Sequence, residues 1–375
     1  NGRPVRLSPA VYRLGTIRYR GLAQGRLENL TLHGAFRTSL GTITTDGTFR
    51  SDSVLEHMTY RAKVEAKRFQ LGRMIDHAQL GSVTVDVQSA GRIDTGVVRG
   101  DIKAHVRELT YGDYTYSDLH IDGHYDPNGY RGQFFIDDPH IAMSFNGVVD
   151  LSEQNPELNF NLRCDHFDME PITDKEFVTR FNLAVDMSGS ETDKISGYLV
   201  LDSLYVSTDH DTLLMQQLTL LASGAVGHSK SFTLRSDYLY ARLDGIFRYK
   251  DLVPAAQQLI HHYLPSAVLA PKQQWEPVSF TMRADGERLR DIQRLFIAPL
   301  TLSDHPTFTA SAYVGKDEEP EVNVRFFAPG VRAGNTPVHD LTLTLNTVDT
   351  LRHTEGSGLA LSISAEAMQL HTGFS

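Results

Sequence analysis

The sequence predicts a mainly β protein, a long antiparallel meander, and three observations carry that expectation. Across residues 100–152 the apolar side chains return at every second position: Leu119, Ile121 and Tyr125, then Tyr130, Phe134 and Ile136, then Ile141, Met143, Phe145, Val149 and Leu151. That is the period of a strand with one apolar face; a helix repeats at 3.6. Turn-forming stretches separate the runs, Asp126-Pro127-Asn128-Gly129 and Asp137-Asp138-Pro139. Asn-Gly accepts positive φ, and Pro fixes its own φ and donates nothing. The same alternation recurs almost from end to end.

Taken in order, the runs LGTIRYRG, LENLTLHGAF and LGTITTDGTF between Tyr12 and Phe49 are short and divided by Gly or Asp-Gly. Leu30-Thr31-Leu32-His33-Gly34-Ala35-Phe36 is echoed by Leu119-His120-Ile121-Asp122-Gly123-His124-Tyr125, and Leu243-Asp244-Gly245-Ile246-Phe247 repeats its second half. An inward Gly removes a side chain, and the aromatic two residues on can lie across the gap, which is a packing device. Residues 54–110 continue as strands, with Val83, Val85 and Val87 inward and Thr84, Asp86 and Gln88 toward water. Leu158, Phe160, Leu162 and Cys164 place the lone cysteine on the apolar face, as a buried and inert thiol.

Strands follow to residue 250, and then the period changes. Leu252, Ala256, Leu259, Ile260, Tyr263 and Leu264 form a helical stripe, with Asp251 as N-cap, Pro254 in the first turn and Pro265 ending it. A second helix is expected over Glu287 to Phe296, with Pro299 beyond. From Leu300 the strands resume, Leu341, Leu343 and Leu345 alternating as before. The organisation read from this is a long β-meander over 1–250, a helical cover with an intervening strand over 251–299, and a continuation of the meander over 300–375.

Composition bounds the function. Lys plus Arg number 36 against 46 Asp plus Glu, a net charge of −10 with no basic stripe, which argues against nucleic acid as a partner. Mean hydropathy is −0.27, and no run approaches the ~18–20 apolar residues of a spanning helix. One cysteine makes no intrachain disulfide. Opening on Asn1-Gly2-Arg3-Pro4 and closing on Gly373-Phe374-Ser375, the chain reads as an excerpt, with any membrane anchor outside it.

Roughly twenty strands with one apolar face each must hide those faces. The solutions are a sandwich, a closed barrel, a β-solenoid, or a long sheet folded lengthwise so that its walls face each other. Irregular spacing between the repeated motifs weakens the solenoid, and nothing supports an immunoglobulin sandwich. About twenty strands at ~4.8 Å make an elongated sheet of about 100 Å.

One passage resembles a known family. Gly197 with Leu201-Asp202-Ser203-Leu204, Leu218-Thr219-Leu220 ahead of Ser236-Asp237, Leu243-Asp244-Gly245 with Phe247 and Tyr249, and a helix closing on His262-Tyr263-Leu264-Pro265 are similar to the TamB proteins of Bacteroidetes-type bacteria. These belong to the AsmA-like envelope superfamily. The block Leu109 to Leu151, with Asp122-Gly123, Asp137-Asp138-Pro139 and Gly147-Val148-Val149-Asp150-Leu151, looks similar to the same family. The resemblance implies a translocation and assembly module protein, anchored in the inner membrane of a Gram-negative bacterium, that crosses the periplasm as a folded-over sheet, or β-taco. Its implied partners are phospholipid acyl chains, carried between the membranes in outer-membrane biogenesis, and an Omp85-class outer-membrane assembly protein.

On this reading the open apolar groove is lined by Leu119, Ile121, Tyr125, Phe134, Ile136, Ile141, Met143, Phe145 and Val149, and covered by the helix through Leu252, Ala256, Leu259, Ile260 and Tyr263. No enzymatic chemistry, metal or cofactor is expected. His261 and His262 diverge by ~100° on a helix and do not chelate as an i, i+4 pair does. Asp209-His210-Asp211 reads as a polar turn. Asp137 and Asp138 point to opposite faces of a strand, unlike a glycosidase pair. The alternatives are an elongated β-rich periplasmic or surface scaffold or adhesin with a filled core, and a polysaccharide-active enzyme, which the single Trp275 and the lack of paired acids disfavour.

Overall fold

The computed structural model describes residues 12–26, 28–52, 56–173, 175–190, 194–224, 229–263, 265–266, 268–295, 300–316, 318–333, 336–349 and 357–367. The predicted helix ends at Leu264 and at Phe296 with Pro299, and both ends of the chain, lie outside these residues. The protein is mainly β and antiparallel, its sheet open and not closed into a barrel. The chain folds as two compact units, one of residues 1–152 and 158–182, the other of residues 153–157 and 183–375.

The first unit is a meander of β1 (Arg18–Arg26), β2 (Asn29–Thr38), β3 (Gly41–Ser51), β4 (His57–Gln70), β5 (Leu80–Asp94), β6 (Val97–Tyr111), β7 (Tyr114–Asp126), β8 (Gly129–Asp138), β9 (Ile141–Asp150) and β10 (Glu157–Asp168). From β1 to β9 each strand pairs antiparallel with the next, and β10 continues the ladder beside β9. Tight turns set the register. In the turn to β8, the Asp126 carboxylate accepts the N–H groups of Asn128 (2.7 Å) and Gly129 (3.1 Å), the local bonding that makes Asp a turn former.

Two short helices interrupt this unit, α1 (Leu71–Ile75) and α2 (Glu170–Thr173). Neither is predicted by the alternation. α1 forms where a break in the β4–β5 ladder between Ala66 and Phe69 turns the chain. It lays Leu71 and Met74 against a core of Leu40, Ala66, Phe69 and Val83. Gly72 is obligatory there, since a Cβ would stand 1.5 Å from the Leu80 carbonyl oxygen.

The chain enters the second unit within β11 (Phe177–Gly189) and continues through β12 (Ile195–Thr208), β13 (Thr212–Gly224), β14 (Ser229–Ser236), β15 (Leu239–Ile246), a 3-10 turn (Tyr249–Asp251), α3 (Leu252–Tyr263) and β16 (Val278–Gly286). There follow α4 (Leu289–Gln293), β17 (Leu300–Leu302), β18 (Thr307–Val314), β19 (Glu321–Ala333), β20 (Thr336–Asp349) and β21 (Ser357–Ala367). β12 to β16 pair in sequence, β16 then pairs with β18, and β17 is a short addition on β19. The core of this unit is a cluster of Phe247, Ala255, Trp275, Val278 and Val314, with Leu259, Phe232, Leu243 and Phe280 packed against it.

The helix predicted from Asp251 spans Leu252–Tyr263, but Asp251 does not cap it. Its carboxylate is buried at the end of the 3-10 turn and holds the Arg248 guanidinium at 2.5 and 3.2 Å. A charge that deep is tolerated because its partner is bidentate. The second predicted helix is shorter than its apolar pattern, α4 covering only Leu289–Gln293.

Candidate functional site

The feature that organises each unit is an unbroken row of apolar side chains running across the strands. In the first unit the row passes through Tyr19, Phe36, Ile43, Ala66, Val85, Val106, Leu119, Ile136 and Met143, one residue per strand from β1 to β9, each opposite the next in the ladder. A parallel row joins Val64, Val87, Ala104, Ile121, Phe134 and Phe145. The second unit has its own: Leu199, Leu220, Leu234, Ala241, Ala284, Phe308, Phe326, Leu343 and Ile363. Period-two alternation on every strand, combined with exact opposition in the ladder, produces such rows automatically.

All nine predicted lining residues lie on that face of the first unit. Leu119, Ile121, Tyr125, Phe134, Ile136, Ile141, Met143 and Val149 are half-buried, and Phe145 is 7% exposed. Phe134 and Phe145 stack with centroids 5.1 Å apart, and Phe160 of β10 follows Phe145 at 5.3 Å. Leu151 lies just past β9 and is 62% exposed, so it leaves the face. Neighbouring side chains cover one another laterally, which leaves eight of the nine partly exposed and Phe145 buried.

Between the two rows and the tyrosines Tyr60, Tyr125 and Tyr130 runs a lane of small residues. Gly47, Ala62 and Ser89 follow one another in the ladder, Ile102 comes next, and Gly123, Gly132 and Gly147 complete it. A cavity of about 410 Å³ includes Gly47, Ala62, Ser89 and Ile102 in its lining. The predicted Gly–aromatic device is present with a different partner. The ring over Gly123 is that of Tyr130 on the next strand, whose hydroxyl oxygen would stand 2.6 Å from a Cβ there. Tyr125 instead reaches Tyr60 and Ser89, forming a hydroxyl cluster on the apolar face. Burial pushes the Tyr60 hydroxyl's pKa up, the neighbouring Tyr125 adding to it.

Residues of the predicted cover divide. Leu259 packs on the Trp275 cluster, and Tyr263 is half-buried and donates to the Pro320 carbonyl at 2.8 Å. Leu252, Ala256 and Ile260 are exposed, while Pro254 and Ala255 are buried. The helix is therefore rotated from its apolar stripe, because the 3-10 turn anchored by Asp251 fixes the angle at which it starts. His261 donates from Nδ1 to the Val268 carbonyl (2.8 Å), and His262 lies edge-on to Tyr263. Asp209-His210-Asp211 is a turn, its N–H groups at 210 and 211 donating to the Thr208 hydroxyl.

Polar sites that the sequence reading did not single out are also built by the ladder. Asp138, 2% exposed, accepts from the Ser117 N–H (2.9 Å) and hydroxyl (2.8 Å), the Tyr114 hydroxyl (3.1 Å) and the His140 N–H (3.0 Å). Burial and this carboxylate together raise the Tyr114 pKa. On the opposite, polar face, His105 and His120 direct Nε2 at one oxygen of Asp118, at 2.8 and 2.9 Å. These bonds, the one from His120 foremost, hold the Asp118 carboxyl below its ordinary pKa. The signal for it was Asp118-Leu119-His120 with His105 across a hairpin. In the second unit a cavity of about 960 Å³ has Arg290, Arg294, Arg332, His305 and His339 on its wall. Among the described residues, no helix is long and apolar enough to cross a membrane. No family model, no curated protein and no solved structure matches the chain.

Proposed function

We propose that this is a non-enzymatic cell-envelope protein of the TamB kind, whose apolar β face carries phospholipid acyl chains between the inner and outer membranes or assists outer-membrane protein assembly. The observation that supports it most is the row from Tyr19 to Met143, apolar at every strand and partly exposed except at Ala66, where Leu71 and Met74 pack over it. Nine strands at ~4.8 Å give such a row about 38 Å of length, more than the ~30 Å hydrocarbon thickness of a bilayer. A chain sliding along it exchanges one apolar neighbour for the next without meeting water. Each methylene it covers is worth about 0.8 kcal/mol, so a lipid tail is held by several kcal/mol while no single position traps it. In this reading the protein works in the periplasm of a Gram-negative bacterium, with an inner-membrane anchor supplied by a segment outside this chain and an Omp85-class protein as its outer-membrane partner.

The test is lipid mass spectrometry of the chain purified from membranes, beside Phe134→Arg. Phe134 is half-buried on the face, so the variant can fold with its guanidinium raised into the groove. The wild type is expected to carry phospholipid and the variant, still unfolding in one cooperative transition, to lose most of it. Equal lipid on both, or none on either, removes the proposal. The second reading, a scaffold with a filled core, draws on the closed cluster around Trp275, which is 5% exposed, and is selected by the second of those results.

A further inference from the structure

We propose that His105, Asp118 and His120 form a binding site for one transition-metal ion of the zinc class on the polar face of the first unit. The site is independent of the lipid reading, since it lies on the other side of the sheet. His105 of β6 and His120 of β7 are direct partners in the ladder, and their rings stack with centroids 4.0 Å apart and planes 15° apart. Asp118 sits two residues before His120. Its φ of +54° falls where the β6–β7 register skips from Val106↔Leu119 to Glu108↔Ser117. That break brings the carboxylate beside the two imidazole edges. The donor atoms of the three side chains lie within 4.8 Å of one another.

Two imidazole nitrogens and one carboxylate oxygen are the donor set of open zinc sites, bound at ~2.0–2.2 Å. Ligands at that distance around a tetrahedral centre stand ~3.3 Å apart, and the two stacked rings splay so that both nitrogens face the ion in their ring planes. Imidazole suits zinc, nickel and copper, whereas calcium and magnesium favour oxygen-only shells. Phe135 stacks on His120 at 4.4 Å and 13°, which limits the ring's freedom before any ion arrives. Four other histidines of this unit each lie against a single carboxylate, His33 with Asp46, His57 with Asp94, His124 with Asp101 and His140 with Asp168. At β6–β7 two imidazoles converge on one carboxylate. Three protein donors leave a fourth position for water, and the bound ion ties β6 to β7 across their polar face.

The experiment titrates the whole chain, free of any histidine tag, with Zn2+ by calorimetry and with Co2+ by visible absorption. Expected are one tight equivalent in the micromolar range, a rise in melting temperature, and d–d bands of a low-coordinate cobalt site. His105→Ala and His120→Ala should each weaken that equivalent by no less than the ~10–100-fold known for groups one layer out from a metal. All three side chains are partly solvent-exposed, and metal-free melting temperatures check that the variants fold. Histidine nitrogen NMR on the wild type gives an arm that needs no variant: two Nε2 resonances should move together on adding zinc. Undiminished binding in both variants means adventitious binding at the other His–Asp pairs and overturns the proposal. So does a wild type that binds none, or zinc shifts confined to histidines other than 105 and 120.

Discussion

The hydroxyl of Tyr130 lies over Gly132, two residues along the same strand, and donates to the Gln133 carbonyl at 2.8 Å. Tyr19 stands in the same relation to Gly21, donating to Leu22 at 2.7 Å. Both occur in the tripeptide Tyr-Arg-Gly. The ring fills the space that the missing side chain leaves on that face of the sheet.

Gly123 faces the same ring from the neighbouring strand, and a Cβ there would stand 2.5 Å from the Arg131 carbonyl and 2.7 Å from the Tyr130 ring carbon bearing the hydroxyl. Gly123→Ala should therefore cost about 1–3 kcal/mol by overpacking. Tyr130→Phe, which loses only hydrogen bonds, should cost about 0.5–1.5 kcal/mol. Urea unfolding of both variants measures the difference, and an equal cost would show that the ring does not govern this site.

Asp138 is the acceptor for four donors at the start of the turn to β9. Asp138→Ala leaves the half-buried Ser117 N–H and its neighbours unpaired, at a cost on the order of 3 kcal/mol. Asp138→Asn keeps the shape but turns an amide donor toward donors, and should recover only part of that loss. Thermal melts of the two variants rank them.

Asp168 sets part of the acid limb. Burial alone raises its pKa, but the Glu170 N–H (3.0 Å) and the His140 ring (2.8 Å) outweigh that and leave the carboxyl below its ordinary value. An unfolded Asp titrates near ~3.9. The folded value lies lower, so this stabilisation is complete above about pH 4 and is lost as the pH falls through the folded pKa. Asp168→Asn should lower stability at neutral pH and flatten the loss below about pH 4, as read from urea midpoints across pH.

Cys164 and Trp275 report the two units separately, one residue of each kind in the chain. The Cys164 thiol is buried, points at the Thr179 carbonyl, and is pushed by burial up to about 11. At pH 8 its thiolate is then roughly 200-fold rarer than that of a free cysteine near 8.5. Labelling by a thiol reagent should wait on opening of the first unit, while the emission of Trp275 follows the second. Native labelling at the rate of a small peptide would contradict the burial.

The alternation made the strands, their apolar faces and the turns between them readable from the residues alone, because a period of two has one structural meaning and Asn-Gly or Asp-Pro has few. That the nine residues expected to line a groove share one face follows from that arithmetic, and so does the buried Cys164. Short helices escaped it: α1 holds five residues, too few to show a period, and exists because Leu71 and Met74 find a core to cover.

What the tertiary structure alone decided is who stands opposite whom. His105 meets His120, Asp138 meets Ser117, and Tyr130 rather than Tyr125 covers Gly123, because pairing between two strands depends on the length of the turn that joins them and on breaks in their ladder. One residue more or less in the turn between β6 and β7 would part His105 from His120. The phase of α3 belongs here too: its stripe is written in the sequence, but Asp251 buried against Arg248 fixes the turn from which the helix starts.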